Sequence, residues 1–180
     1  RSVDQVRAVI RWNFRAYLWI LAKLRVIDWE IHDRERLASC RGRVIVANHP
    51  TLLDVVLLLA ATPRVQCVVK RDLWKNPLLR GVVTAAGFIP NDLPTEILCS
   101  RAIAALARGD NVLIFPEGTR TVPGRPLKFQ RGVANIVLTA KAEIQLVLIT
   151  CEPLTLTKNE PWYRVPRTRP RFRIQVKDCW

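Results

Sequence analysis

The sequence predicts one α/β domain, a mixed and largely parallel sheet flanked by helices and preceded by an amphipathic N-terminal helix. Three observations carry this. The chain has 180 residues, 49% of them apolar, which is enough for one core and too apolar for disorder. Short β-rich runs alternate with segments whose apolar residues recur at helical spacing. Glycine and proline punctuate the joins, with no internal repeat and no shift in composition that would mark a second domain. We therefore expect a single domain over 1–180, with 1–30 as the leading helix and 40–180 as the α/β core.

Residues 3–27 read as a helix: Arg7, Arg11 and Arg15 recur every fourth residue, while Val6, Ile10, Phe14, Leu18 and Leu21 fill other faces. Trp12, Tyr17 and Trp19 lie between them. A basic stripe, an apolar body and amphipathic rings are what a helix lying in a bilayer interface requires. A core-packing helix with a solvated arginine face fits the same pattern.

Gly42 breaks the chain, and Val44–Ala47 reads as a buried strand that delivers Asn48 and His49 at its carboxyl end. Pro50 suits the first turn of a helix over Thr51–Ala61, which puts Asp54 near the positive end of the helix dipole. Val65–Val69 is a second strand, ending at Lys70. A helix over Pro77–Ala86, a short extended piece over Gly87–Pro90 and an amphipathic helix over Thr95–Ala107, closed by Gly109, come next. Asn111–Phe115 is a strand, Thr121–Lys128 a loop, Gly132–Ala142 a helix, and Leu146–Thr150 and Phe172–Val176 are strands.

Charge narrows the partners. Lysine and arginine number 29 against 15 aspartates and glutamates, a net +14, so an anionic counterpart is expected: nucleic acid, an anionic membrane surface or a phosphorylated substrate. The basic residues are dispersed and lack a stacking or recognition motif, which disfavours a nucleic-acid module. Five widely spaced cysteines without a Cys-x-x-Cys pair suggest neither a disulfide framework nor a zinc site. No apolar run reaches the roughly 18 residues of a spanning helix. The first residue is Arg1 rather than Met, and we expect a piece of a longer chain.

Two polar turns carry the chemistry. His49 stands five residues before Asp54, where an imidazole can take a proton and a carboxylate can fix its tautomer. Ligands of open α/β sheets bind beyond the carboxyl ends of strands, where His49 is expected. There is no Gly-x-Ser-x-Gly elbow and no cysteine in a nucleophile context, so His49 would activate the hydroxyl of an acceptor directly. A second turn, Pro116-Glu117-Gly118-Thr119-Arg120, also follows a strand. Gly118 permits close approach of a ligand, Thr119 offers a hydroxyl, Arg120 has the fork that matches a phosphate, and Glu117 is placed to steady that arginine.

Asn48-His49 with Asp54, followed by Phe115-Pro116-Glu117-Gly118-Thr119-Arg120, resembles the glycerolipid acyltransferase family, which includes 1-acylglycerol-3-phosphate acyltransferases. The likeness extends over about residues 40–150 and takes in Lys70 to Leu73, Gly87-Phe88-Ile89 and Phe129 to Ala134. It implies acyl transfer from acyl-CoA or acyl-carrier protein to a lysolipid, with no metal or other cofactor. By this resemblance His49 is the base and Asp54 its partner, and Glu117, Gly118, Thr119, Arg120 and Lys70 bind substrate. It also implies a seat on anionic lipid at the cytoplasmic face of a membrane, peripheral or anchored by segments outside this chain. Asn91-Asp92 stands where the family usually has an arginine, so Lys128 or Arg131 would serve the acceptor phosphate. A non-phosphate acceptor and a non-catalytic lipid-binding relative stay open as alternatives.

Overall fold

The computed structural model describes residues 2–180 apart from 78, 123, 125, 162 and 165; two of these fall in the expected Thr121–Lys128 loop and one in the expected Pro77–Ala86 helix. The elements are α1 (Val3–Lys23), β1 (Asp28–His32), α2 (Arg34–Ser39), β2 (Val44–Ala47), α3 (Asp54–Ala61), β3 (Val65–Val69), α4 (Asp72–Lys75), α5 (Arg80–Ala85), β4 (Ile89–Pro90), α6 (Thr95–Ala107), β5 (Asn111–Ile114), α7 (Gly132–Ala140), β6 (Ile144–Glu152) and β7 (Arg171–Cys179).

Among the described residues the strands form one sheet in the order β1-β7-β6-β2-β5-β3-β4. Every pairing is parallel except that of β6 with β7. The central strands are short apolar runs, Val44–Ala47 and Asn111–Ile114, as a parallel sheet covered on both faces requires. Ile45, Ala47 and Leu113 enter one core together with Leu57 and Leu58 of α3 and Leu18 of α1. Val44, Val112 and Ile114 enter the other, with Ala102 and Ala105 of α6 and Ile136 of α7. β6 and β7 alternate instead, burying Val147, Ile149, Phe172, Ile174 and Val176 while Leu146, Leu148, Arg173 and Lys177 face out.

Three expectations need correction. The leading helix begins at a capping box, in which Ser2 and Gln5 bond each other's backbone, but it stops at Lys23, because Arg25 takes a left-handed φ of 56°. The strand β1 and the helix α2 then occupy residues that the sequence reading left to the helix or unassigned. The third correction concerns the basic stripe, two of whose arginines turn inward. Arg7 is 7% exposed; its Nε donates to the Ala86 carbonyl at 2.8 Å, at the end of α5, and its Nη1 lies 3.0 Å from Asp110. Arg11 donates to the Ala60 and Ala61 carbonyls of α3 at 3.3 and 3.4 Å. Helix C-termini carry unsatisfied carbonyls and negative dipole charge, which a guanidinium satisfies better than water does at a packed interface. Arg15 stays exposed, and the outward side of α1 and its C-terminal cap also carries large apolar and aromatic side chains: Val9, Trp12, Trp19, Ile20 and Leu24 are all exposed.

Candidate active site

β2 lies between β5 and β6 with Val46 opposite Ile114 and Ala47 opposite Val147, so the three strands deliver their following residues to one edge of the sheet. The first residue beyond β2 prolongs this pairing with its side chain. Asn48 Nδ2 donates to the Ile149 carbonyl at 2.8 Å and Oδ1 accepts from the Ile149 N–H at 2.7 Å. An amide is the side chain that can offer a backbone both halves of a ladder rung.

His49 follows. Its Nδ1 is 2.9 Å from Asp54 Oδ2, and Asp54 is fully buried at the start of α3. The same carboxylate accepts from the Thr51 N–H and the Thr51 hydroxyl, each at 2.6 Å. With three contacts on two oxygens, Asp54 is held against the imidazole. The ring stacks on Phe115 at a centroid distance of 4.2 Å and 24° between planes. A carboxylate at Nδ1 assigns the proton to that nitrogen and leaves Nε2 as the acceptor. Among the described residues no hydrogen bond reaches Nε2.

The turn after β5 grips the backbone of the same histidine. His49 N–H donates to Glu117 Oε1 at 3.1 Å, and the His49 carbonyl accepts from Thr121 N–H at 2.7 Å. Thr121 Oγ1 closes the ring by donating to Glu117 Oε2 at 2.6 Å. Glu117 therefore steadies the histidine, not Arg120 as the sequence suggested. The Arg120 Nη1 donates to the carbonyls of Leu156 and Thr157 at 2.9 and 2.8 Å, and the Leu156 carbonyl also accepts from Leu52 N–H at 3.1 Å. The segment after β6 is thus strapped to both turns. Gly118 makes its turn at φ +67°, with its N–H on the Phe115 carbonyl at 2.9 Å.

A cleft of ≈ 870 Å³ opens beside this assembly. Glu117, Gly118, Thr119 and Arg131 line it, as does Asn91, together with the Phe115 ring on which His49 stacks. Of the other expected substrate residues, Lys70 and Lys128 are exposed and, like Arg120, stand outside the lining. The sequence reading missed the parts played by Thr51, Phe115 and Thr121. For Thr51 a signal existed, since a hydroxyl residue three positions before an acid at a helix start is a capping pattern. For Phe115 and Thr121 none did, because their partners come from another strand end.

Burial pushes the Cys151 thiol up to about 11 and the Cys67 thiol up to about 12, so both are neutral thiols near neutral pH and poor nucleophiles. No group of histidine, cysteine and carboxylate side chains among the described residues is arranged to hold a metal ion.

A family model described as Acyltransferase matches residues 28–151. The chloroplastic 1-acyl-sn-glycerol-3-phosphate acyltransferase of Arabidopsis thaliana is 30% identical over 146 residues, covering 77% of this chain and 40% of that protein. The beta form of the human enzyme of that name is 25% identical over 152 residues, 80% of this chain and 52% of the human one. The chain spans about half the length of the curated relatives it matches. The crystal structure of the 1-acyl-sn-glycerophosphate acyltransferase of Thermotoga maritima superposes with a TM-score of 0.72, covering 99% of this chain and 68% of that one at 20% identity, a likeness of fold.

Proposed function

The chain belongs to the acyltransferase family, and from that premise we propose that it moves a fatty acyl group from an acyl thioester to a hydroxyl of a lysophospholipid-like acceptor, 1-acylglycerol-3-phosphate being the acceptor best suited. The observation that carries the reading is the imidazole held at Nδ1 by a buried carboxylate, with Nε2 left to accept a proton.

In this reading Nε2 of His49 takes the proton of the acceptor hydroxyl as its oxygen attacks the thioester carbonyl. Asp54 stabilises the imidazolium that forms, and the ring of hydrogen bonds through Glu117 and Thr121 holds the backbone so that the ring does not swing. Collapse of the tetrahedral adduct breaks the carbon–sulfur bond, and the imidazolium returns its proton to the departing thiolate. No covalent acyl-enzyme is required, which suits the neutral buried thiols. Arg131, which lines the cleft, would meet an acceptor phosphate where Asn91 offers no charge.

No helix among the described residues is long and apolar enough to cross a membrane. The exposed Trp12 and Trp19 of α1 and the net charge of +14 suit a chain resting on anionic lipid at the cytoplasmic face of a membrane, peripherally or through segments outside this chain.

The test is mass analysis of lipid products with acyl-CoA and acyl-carrier protein donors offered against a panel of lysolipids. A doubly acylated product from 1-acylglycerol-3-phosphate is expected, and His49→Ala should lower the rate by roughly 100- to 10,000-fold while the fold persists. Acyl transfer at full rate by His49→Ala would overturn the mechanism. Transfer only to uncharged acceptors would overturn the acceptor.

A further inference from the structure

A second cavity, of ≈ 620 Å³, lies among the N-terminus of α1, α4, the edge strand β4 and α6. Its charged lining comprises Arg7, Arg64, Arg71, Arg101 and Arg108 against Asp4 and Asp110, an excess of three positive charges. The floor is internally paired. Asp110, 2% exposed, receives Arg7 at 3.0 Å, Arg64 at 2.9 Å and Arg108 at 3.6 Å, and Arg64 also reaches Asp4 at 2.7 Å. Arg71 and Arg101 are different: both are exposed, and among the described residues neither has an ion-pair partner. Two unpaired guanidiniums on the wall of a cavity whose floor is already positive make a site for a phosphorylated ligand, and the volume falls within the usual range for a small molecule.

This cavity and the cleft beside His49 share a wall. On α6, Thr95 and Leu98 line the cleft, while Arg101, Ala104 and Arg108 line the basic cavity; on the edge strand, Pro90 belongs to the basic cavity and the next residue, Asn91, to the cleft. From Leu98 to Arg101 is less than one helical turn, about 4.5 Å along the axis. A linear molecule with its reactive end in the cleft and its anionic end in the basic cavity would lie along α6.

We propose that the basic cavity binds the phosphates of a coenzyme A thioester, making it the nucleotide subsite of the acyl donor. The assignment rests on the acyl-transfer reading above. Two chemical arguments select this ligand. An acceptor's phosphate is only a glycerol unit from the hydroxyl that reacts, whereas the phosphates of coenzyme A are a whole pantetheine arm from the thioester, and a separate cavity suits the longer span. An acidic carrier protein would be met by protruding basic residues, whereas these line a concavity, beside which the Trp74 indole, tethered by its Nε1–H to Thr84 Oγ1 at 3.1 Å, presents a ring to a base.

The test uses the whole chain with Arg71→Gln and Arg101→Gln combined, both exposed and unpaired, so that the floor around Asp110 is untouched. The first readout is the ratio of kcat/KM for acyl-CoA to that for the same acyl group on pantetheine, which lacks the nucleotide; the variant should lower this ratio about 10- to 100-fold. The second is calorimetric binding of desulfo-coenzyme A to His49→Ala protein, with and without the two substitutions, which should weaken by a similar factor and be competed by adenosine 3′,5′-bisphosphate. An unchanged ratio with unchanged binding overturns the proposal. So does a loss confined to acyl-carrier-protein donors, or one confined to the KM of the lysolipid. Absence of turnover with every donor would defeat the acyl-transfer reading alone, because the calorimetry still decides whether the cavity holds the nucleotide.

Discussion

The turn after β2 and the turn after β5 both sit at strand ends and both carry a buried carboxylate, yet they are held in opposite ways. Asp54 takes its hydrogen bonds from His49 and Thr51, within five residues of itself. Glu117 takes one of its two from His49, 68 residues away, and Arg120 reaches carbonyls 36 and 37 residues on. The first turn can form as soon as the start of α3 forms, because its pieces are local. The second acquires its shape only when β5 has docked beside β2. The imidazole belongs to the first turn through its side chain and to the second through its backbone, so a local pair is given its orientation by a non-local frame.

The division can be broken experimentally. Glu117→Ala should do the most damage, leaving the His49 N–H and the Thr121 hydroxyl without their acceptor at a cost of about 1–3 kcal/mol. The thermal midpoint should drop by roughly 2–4 °C for each of those kcal/mol, and kcat should fall more than the acceptor's KM rises. If KM alone moved and the midpoint stayed, Glu117 would be a substrate ligand and the frame would lie elsewhere. Arg120→Lys comes next. An ammonium keeps the charge but not the fork that meets the Leu156 and Thr157 carbonyls, so we expect a loss of about 1–2 kcal/mol in a denaturant titration. A large rise in the KM of a phosphate-bearing acceptor at unchanged stability would instead place Arg120 on the substrate. Gly118→Ala sharpens the comparison at its small end. The new methyl would meet Gln130 Cγ at 3.5 Å, an ordinary contact, so the cost is that of φ +67° in an L-residue, about 1–2 kcal/mol. A larger loss in a thermal melt would mean that the turn has less room than its geometry shows.

What the sequence made legible follows the same division. β3 and α6 stand where the sequence placed them, as does β2, because each is a short, mostly apolar run or a helical period closed by a clear stop such as Gly109. β1 was illegible. Its alternation of Trp29 and Ile31 with Asp28, Glu30 and His32 lasts only five residues, partly at the end of the expected leading segment 1–30 and partly in residues with no assignment. The strand is stable only because β7, more than 140 residues on, lies beside it. α4, a single turn over Asp72–Lys75, is too short to show a period. In the site, His49 and Asp54 were legible because spacing alone brings them together. The partner of Glu117 was not, since a carboxylate beside an arginine suggests an ion pair, while the hydrogen bonds that decide the matter come from another strand. Periodicity shows that Arg7, Arg11 and Arg15 lie close together on the helix, but not which of them point inward. Arg7 and Arg11 do because the ends of α5 and α3 lie beneath them.

The clamp of Arg11 on the last carbonyls of α3 has a mechanical consequence. Asp54 stands at one end of α3 and the Arg11 contacts at the other, and eight helical residues span about 12 Å. α3 is therefore a strut of fixed length between α1 and the base. If α1 rested on a bilayer through Trp12 and Trp19, as proposed above, the strut would tie the position of the imidazole to that of the lipid surface. Under the acyl-transfer proposal, altering α3 by one turn would then move the imidazole relative to α1 without altering any group that lines the cleft.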